Sequence, residues 1–233
     1  MNNGVLIKRV VLALSFLPLL RWLYLYHQDA LGLDPALWMM ESSGQTAFVM
    51  LCLTLAITPL RQLLSLPVLI WCRRPLGVMT FFYAFCHFGI WAGAERHFSF
   101  ALMGQGIVER PAIVLGVIAL ILLAVLASTS NQGMVRKLGR RWQKLHRLVY
   151  GIAVMVSVHF VMMQRADESA MHAYIGVAVI TLLLLWRVVS HLKNQRVIAD
   201  KMASIHGSSE QRVVREDSHA STKMVSIQVS RKK

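Results

Sequence analysis

The chain has 233 residues, 56% of them hydrophobic and 15% charged, yet its formal net charge is +14. A soluble domain is about 45–50% apolar and about 25% charged, and the mean hydropathy here is +0.53. With 14 Gly, 6 Pro and 3 Cys, the composition also excludes collagen-like, disordered and disulfide-framework chains, which leaves a polytopic membrane protein of all-α class.

A transmembrane helix needs about 20 mainly apolar residues to cross roughly 30 Å of hydrocarbon. Six stretches meet that need, at residues 5–26, 46–64, 75–94, 111–127, 145–163 and 171–189, and they predict a six-helix bundle. The first is interrupted by Arg21, and Lys8 and Arg9 before an apolar run resemble the start of a signal peptide. No small-x-small cleavage pattern follows, and Trp22, Tyr24 and Tyr26 form an interfacial belt, so a retained helix is expected. The third stretch carries no charge and contains Cys86-His87. A C-x-x-C-H haem attachment would need Cys at position 83, which is Tyr, so any haem is held without thioether bonds. The fourth is uninterrupted aliphatic sequence, and the fifth holds His146 and His159 near its two ends. From residue 193 the chain turns polar and basic, which predicts a transmembrane domain over residues 1–192 and a partly disordered cytosolic tail over 193–233. No tandem repeat is evident.

The charges sort by side. Lys8 and Arg9, the Arg61/Arg73/Arg74 group, the six basic residues from Arg136 to Arg147 and the C-terminal segment together carry +17. The intervening loops carry −3, and the two sides recover the +14. Lys and Arg collect in cytoplasmic loops, so both termini are expected inside, and the basic balance marks orientation rather than nucleic-acid binding.

Ionisable groups at membrane depth are costly and point to function. His87 lies twelve residues after Pro75, and His159 thirteen after His146, so each reaches about 18–20 Å up its helix from the inner end. Two imidazoles at one depth on parallel helices can ligate one haem iron from opposite faces, leaving no open position, which suits electron transfer. A single membrane histidine also has a plain reading as an interhelical hydrogen-bonding group. His146 lies near the inner surface, where a second haem would sit; thirteen residues turn an ideal helix by about 220°, so His146 and His159 point different ways. Counting thirteen back from His87 reaches Arg74, a cation that cannot be expected to ligate iron but can contact a haem propionate or simply anchor the span. His27, His97, His172 and His191 read as interfacial, and His206 and His219 fall in the tail.

The segments Leu31-Gly32-Leu33-Asp34-Pro35, Ile57-Thr58-Pro59-Leu60, Arg73-Arg74 with Leu76-Gly77, and above all Arg136-Lys137-Leu138-Gly139-Arg140-Arg141-Trp142-Gln143-Lys144-Leu145-His146 resemble the MsrQ (YedZ) family, within the ferric-reductase-like transmembrane group. The resemblance covers roughly residues 5–192. It implies a bacterial inner-membrane, non-catalytic electron-transfer subunit that binds b-type haem, one or two, through His87, His146 and His159. It further implies FMN, electrons from the quinone pool or a cytosolic flavin reductase, and a periplasmic molybdopterin-containing methionine sulfoxide reductase as acceptor. No residue here places FMN. The wider group often carries a cytosolic FAD and NAD(P)H module; only about forty residues follow the last span, without a G-x-G-x-x-G fingerprint, so electrons are expected from another molecule at the basic face. A self-contained ferric or quinone reductase, and a non-redox transporter or structural subunit, stand as alternatives.

Overall fold

The computed structural model describes residues 3–164 and 170–230. Arg165, Asp167 and Glu168, three charges assigned above to the outer side, lie outside the described residues. The fold is helical, with no strand among the described residues.

The first apolar stretch is two helices, α1 (Asn3–Leu14) and α2 (Leu17–His27), rather than one. Pro18 accounts for the break, since it has no amide hydrogen and its ring crowds the carbonyl four residues earlier. Tyr83, fully buried, donates its hydroxyl to the Ser15 carbonyl at this break over 2.6 Å. Trp22 on α2 donates to Ser42 (2.9 Å) and stands edge-on to Tyr83. Lys8 on α1 lies over the Trp71 ring. Neither short helix is long enough to cross a bilayer alone, whereas five other helical segments are: Pro35–Leu63, Pro67–Glu95, Pro111–Ser128, Arg140–Met163 and Ala173–Ser204.

α3 (Pro35–Leu63) begins eleven residues before the expected 46. Asp34 caps it by accepting from the Leu37 amide, and Pro35 at the first position has no amide to leave unsatisfied. A 3-10 turn, Pro67–Cys72, leads into α4 (Arg73–Ile90), which ends in a π-helical segment, Trp91–Glu95. α5 (Phe100–Glu109) occupies a stretch read from sequence as a loop, and α6 (Pro111–Ser128) follows. Two short helices, α7 (Gln132–Leu138) and α8 (Arg140–His146), precede α9 (Leu148–Met163). Gly139 separates α7 from α8 at φ +49°, a left-handed value that glycine adopts without a Cβ penalty. A one-residue turn at Arg147 separates α8 from α9, with Arg147 itself still in the helical region (φ −70°, ψ −19°).

α3 packs along α4, α6 along α9, and α4 against α6. One apolar core joins Phe48 and Leu51 of α3 to Ala119 and Leu123 of α6, Ile152 and Ala153 of α9, and Ile180. A second gathers Trp22, Met50, Met79 and Tyr83 between α2, α3 and α4. Leu20, Phe85, Ile121, Val154 and Leu182 point outward, as lipid-facing side chains do. By packing, the chain divides into Met1–Leu184 and Leu185–Lys233. α10 (Ala170–Ser230) shows no break in helix where the composition changes after Lys193.

Candidate functional site

His87 on α4 and His159 on α9 come together with ring centroids 6.3 Å apart and ring planes at 80°. Each is held in the same manner. His87 donates Nδ1–H to the Met40 carbonyl of α3 over 2.8 Å, and His159 donates Nδ1–H to the Ala112 carbonyl of α6 over 2.7 Å. A carbonyl can only accept, so in each neutral ring Nδ1 carries the proton and Nε2 keeps its lone pair. That is the tautomer of a metal-ligating histidine whose other nitrogen is fixed by an outer partner.

The two rings border a cavity of about 620 Å³, within the roughly 300–1,000 Å³ of cofactor sites. Phe48, Phe88, Trp91 and Phe160 supply aromatic walls, and Glu41, Glu95, Glu109 and Arg110 supply charge. Phe48 and Phe160 are 4.9 Å apart. A metal–nitrogen bond of about 2 Å on each side, with half an imidazole beyond each, spans about 6 Å, so the observed separation fits an iron between the rings. The donor set is two imidazoles: no group of three or more His, Cys, Asp or Glu converges among the described residues. A planar macrocycle brings its own four nitrogens and needs only the two axial donors.

The inner residues are arranged differently. His146, half-buried at the end of α8, stacks on Trp142 with centroids 4.0 Å apart. Its Nδ1 donates to the Trp142 carbonyl one turn back (3.2 Å), and its Nε2 lies 3.3 Å from the Ser130 hydroxyl. Trp142 in turn donates to the Thr129 carbonyl over 3.0 Å, a reach made possible by the turn at Gly139. The R-K-L-G-x-x-W-x-x-L-H run is therefore a helix, a glycine turn and a second helix that delivers Trp142 and His146 to the end of α6. Arg74 is exposed at the start of α4, and neither it nor His146 lines the cavity of His87 and His159. His27, His97 and His191 are exposed, and the side chains of His172, His206 and His219 lie outside the described ones.

Sequence reasoning missed Met40, Gly44, Ala112 and Gly116. An ideal Cβ on Gly44 would lie 3.0 Å from His87 Nδ1, and one on Gly116 would lie 2.9 Å from His159 Cε1. These positions expose a repeat where none was expected. Gly44-x-x-Ala47-x-x-x-Leu51 and His87-Phe88 recur as Gly116-x-x-Ala119-x-x-x-Leu123 and His159-Phe160 at a constant offset of 72 residues (116 − 44, 159 − 87). All ten residues line the cavity or carry its rings. So few positions coincide that overall similarity between the halves hides the pattern; the spacing of Gly, Ala, Leu and His-Phe is what carries it.

Residues 43–158 match the family described as ferric reductase like transmembrane component. Among curated proteins, the chain is 40% identical over 184 residues to the protein-methionine-sulfoxide reductase heme-binding subunit MsrQ of Bordetella pertussis, covering 79% of this chain and 89% of that one. The protein of the same name in Ralstonia nicotianae is 40% identical over 183 residues, 78% of this chain and 84% of its own. That of Xanthomonas campestris pv. campestris (strain B100) is 41% identical over 171 residues, 73% and 78% respectively.

Proposed function

Because the chain belongs to the MsrQ family of methionine-sulfoxide reductase heme-binding subunits, within the ferric-reductase-like membrane proteins, we propose that it is a membrane electron conduit with no substrate chemistry of its own. In this reading six crossings, with α1 and α2 together forming the first, place both termini in the cytoplasm of a bacterium and the chain in its inner membrane. The asymmetry of +17 against −3 supports that orientation.

The observation that carries the proposal is the facing pair His87 and His159. Each is anchored through Nδ1 and offers Nε2 beside a 620 Å³ cavity. These residues would hold one b-type haem through their Nε2 atoms. When bound, such a six-coordinate haem supplies one-electron redox chemistry without an open position for substrate. The chain supplies the rest: α3 and α6 carbonyls fix the rings, and the aromatic walls exclude water. At the other end His146 would serve a second haem, with Arg74 near a propionate. The basic inner face would receive electrons from the quinone pool or a cytosolic flavin reductase. The acceptor would be a periplasmic molybdopterin-containing protein that reduces methionine sulfoxide in oxidised envelope proteins. FMN rests on family resemblance, and no residue of this chain is assigned to it.

The test is the absorption spectrum of the purified full chain, oxidised and then reduced with dithionite. A sharp b-type α-band, with haem fully extracted by pyridine, is expected; a colourless, folded preparation from haem-replete cells sinks the proposal. Rapid reoxidation on adding the periplasmic reductase with a methionine-sulfoxide substrate is expected next. Reoxidation by ferric chelate or quinone alone, with no response to that protein, favours a self-contained reductase instead.

A further inference from the structure

The 72-residue repeat makes the site two equivalent half-sites, each built of a carbonyl, a glycine one turn later and an imidazole from the neighbouring helix. The order has a geometric reason. A helical carbonyl points towards the residue four positions on, so a side chain at that residue stands beside the acceptor and blocks a second donor from approaching. Met40 is followed four residues later by Gly44, and Ala112 by Gly116. In both halves the missing Cβ would meet the same edge of the ring, Nδ1 and Cε1. The distances are 3.0 and 3.1 Å for His87, and 3.0 and 2.9 Å for His159. A methyl group there must displace the bonding edge by a few tenths of an ångström, which the ring can meet only by lengthening its bond to the carbonyl or turning its plane. With both glycines present, the two rings stand crossed at 80°.

We propose that Gly44 and Gly116 are positioning residues that lock the His87 and His159 imidazoles in crossed planes, so that the haem they would hold has near-perpendicular axial ligands. The inference rests on the haem reading above. It has its own signature. Parallel imidazole planes split the two iron dπ orbitals strongly and give a rhombic, three-line ferric low-spin EPR spectrum. Crossed planes leave those orbitals nearly degenerate and give a highly anisotropic spectrum dominated by one low-field feature.

The experiment is low-temperature EPR of the oxidised, haem-loaded full chain. It is recorded in the wild type and in His146→Ala, so that the signal of the outer haem is assigned. The highly anisotropic signal is expected in both. Gly44→Ala and Gly116→Ala should each shift that feature towards a more rhombic spectrum or add a high-spin signal, the larger change in Gly116→Ala because its Cβ would also lie 3.4 Å from His159 Nε2. Gly89→Ala on α4 and Gly151→Ala on α9 are the controls: a Cβ at either meets nothing within 4 Å, and the signal should persist. A rhombic outer-haem signal in the wild type overturns the proposal even if no glycine variant accumulates. So does an unchanged signal in both Gly44→Ala and Gly116→Ala. In either case bound haem leaves the electron-conduit reading standing, whereas a colourless wild-type protein removes both.

Discussion

The two ends of the helical core treat their histidines in opposite ways. At one end, two rings are each tied to a carbonyl of a different helix, so their positions are set by tertiary packing between α3 and α4 and between α6 and α9. At the other, His146 donates to its own helix one turn back, stacks on Trp142 of that helix and meets a side-chain hydroxyl. Its repeat-related position is Arg74, exposed and without a ring to offer. The first arrangement is fixed by neighbouring helices, and the second mainly by contacts within its own helix, with Trp142 tying that helix to the end of α6. A rigid pair suits a site whose ligands do not change, while the local site suits one that meets an incoming molecule.

The sharpest way to break this contrast is to remove a ring from the paired end. His87→Ala or His159→Ala should abolish the outer haem, read as loss of its part of the α-band from protein that still purifies as a folded species. Equal loss from His97→Ala, an exposed residue, would contradict the assignment. If the proposed second haem is held at the inner end, His146→Ala should remove its share of the band and leave that of the paired site in place; disappearance of both would show that the two ends are coupled. Next in size is Gly139→Ala. Its left-handed backbone should make it cost about 1–2 kcal/mol, visible as a lower Tm, and it should weaken inner-haem retention by displacing Trp142 and His146. The smallest effect belongs to Ser130→Ala. Its 3.3 Å contact with His146 is long for a hydrogen bond, so stability should fall by less than about 1 kcal/mol and the outer band should not move. A larger loss would mean that the hydroxyl organises the inner end more than its geometry indicates.

Much of this was legible in the sequence, and the rest was not for identifiable reasons. Five apolar stretches appear as helices of spanning length because hydropathy over 20 residues integrates a strong signal. The all-α membrane class follows from the same signal. The first stretch reads as one span because Pro18 weighs little in an average, although it splits the helix locally. α3 reads eleven residues short because Glu41, Ser42, Ser43 and Gln45 lower the local hydropathy, yet Asp34 and Pro35 already spell a helix start. Counting along spans oriented by the charge pattern predicts one depth for His87 and His159, and the structure brings their two rings together. Their carbonyl anchors could not be read, because every residue owns a carbonyl and only the packing selects Met40 and Ala112. Gly44 and Gly116 were readable in principle, but only by aligning the chain with itself at one spacing.

The length of α3 has a consequence for how far an electron must travel. Its 29 residues extend about 44 Å, well beyond the roughly 30 Å of hydrocarbon. Its apolar run begins at Thr46, and Met40 lies six residues earlier, about 9 Å nearer the capped end. Met40 holds His87, so the paired rings lie towards the capped Asp34 end of α3 rather than at its middle. A group held between those rings would therefore lie closer to whatever meets the Asp34 end of α3 than to the basic end at Arg61.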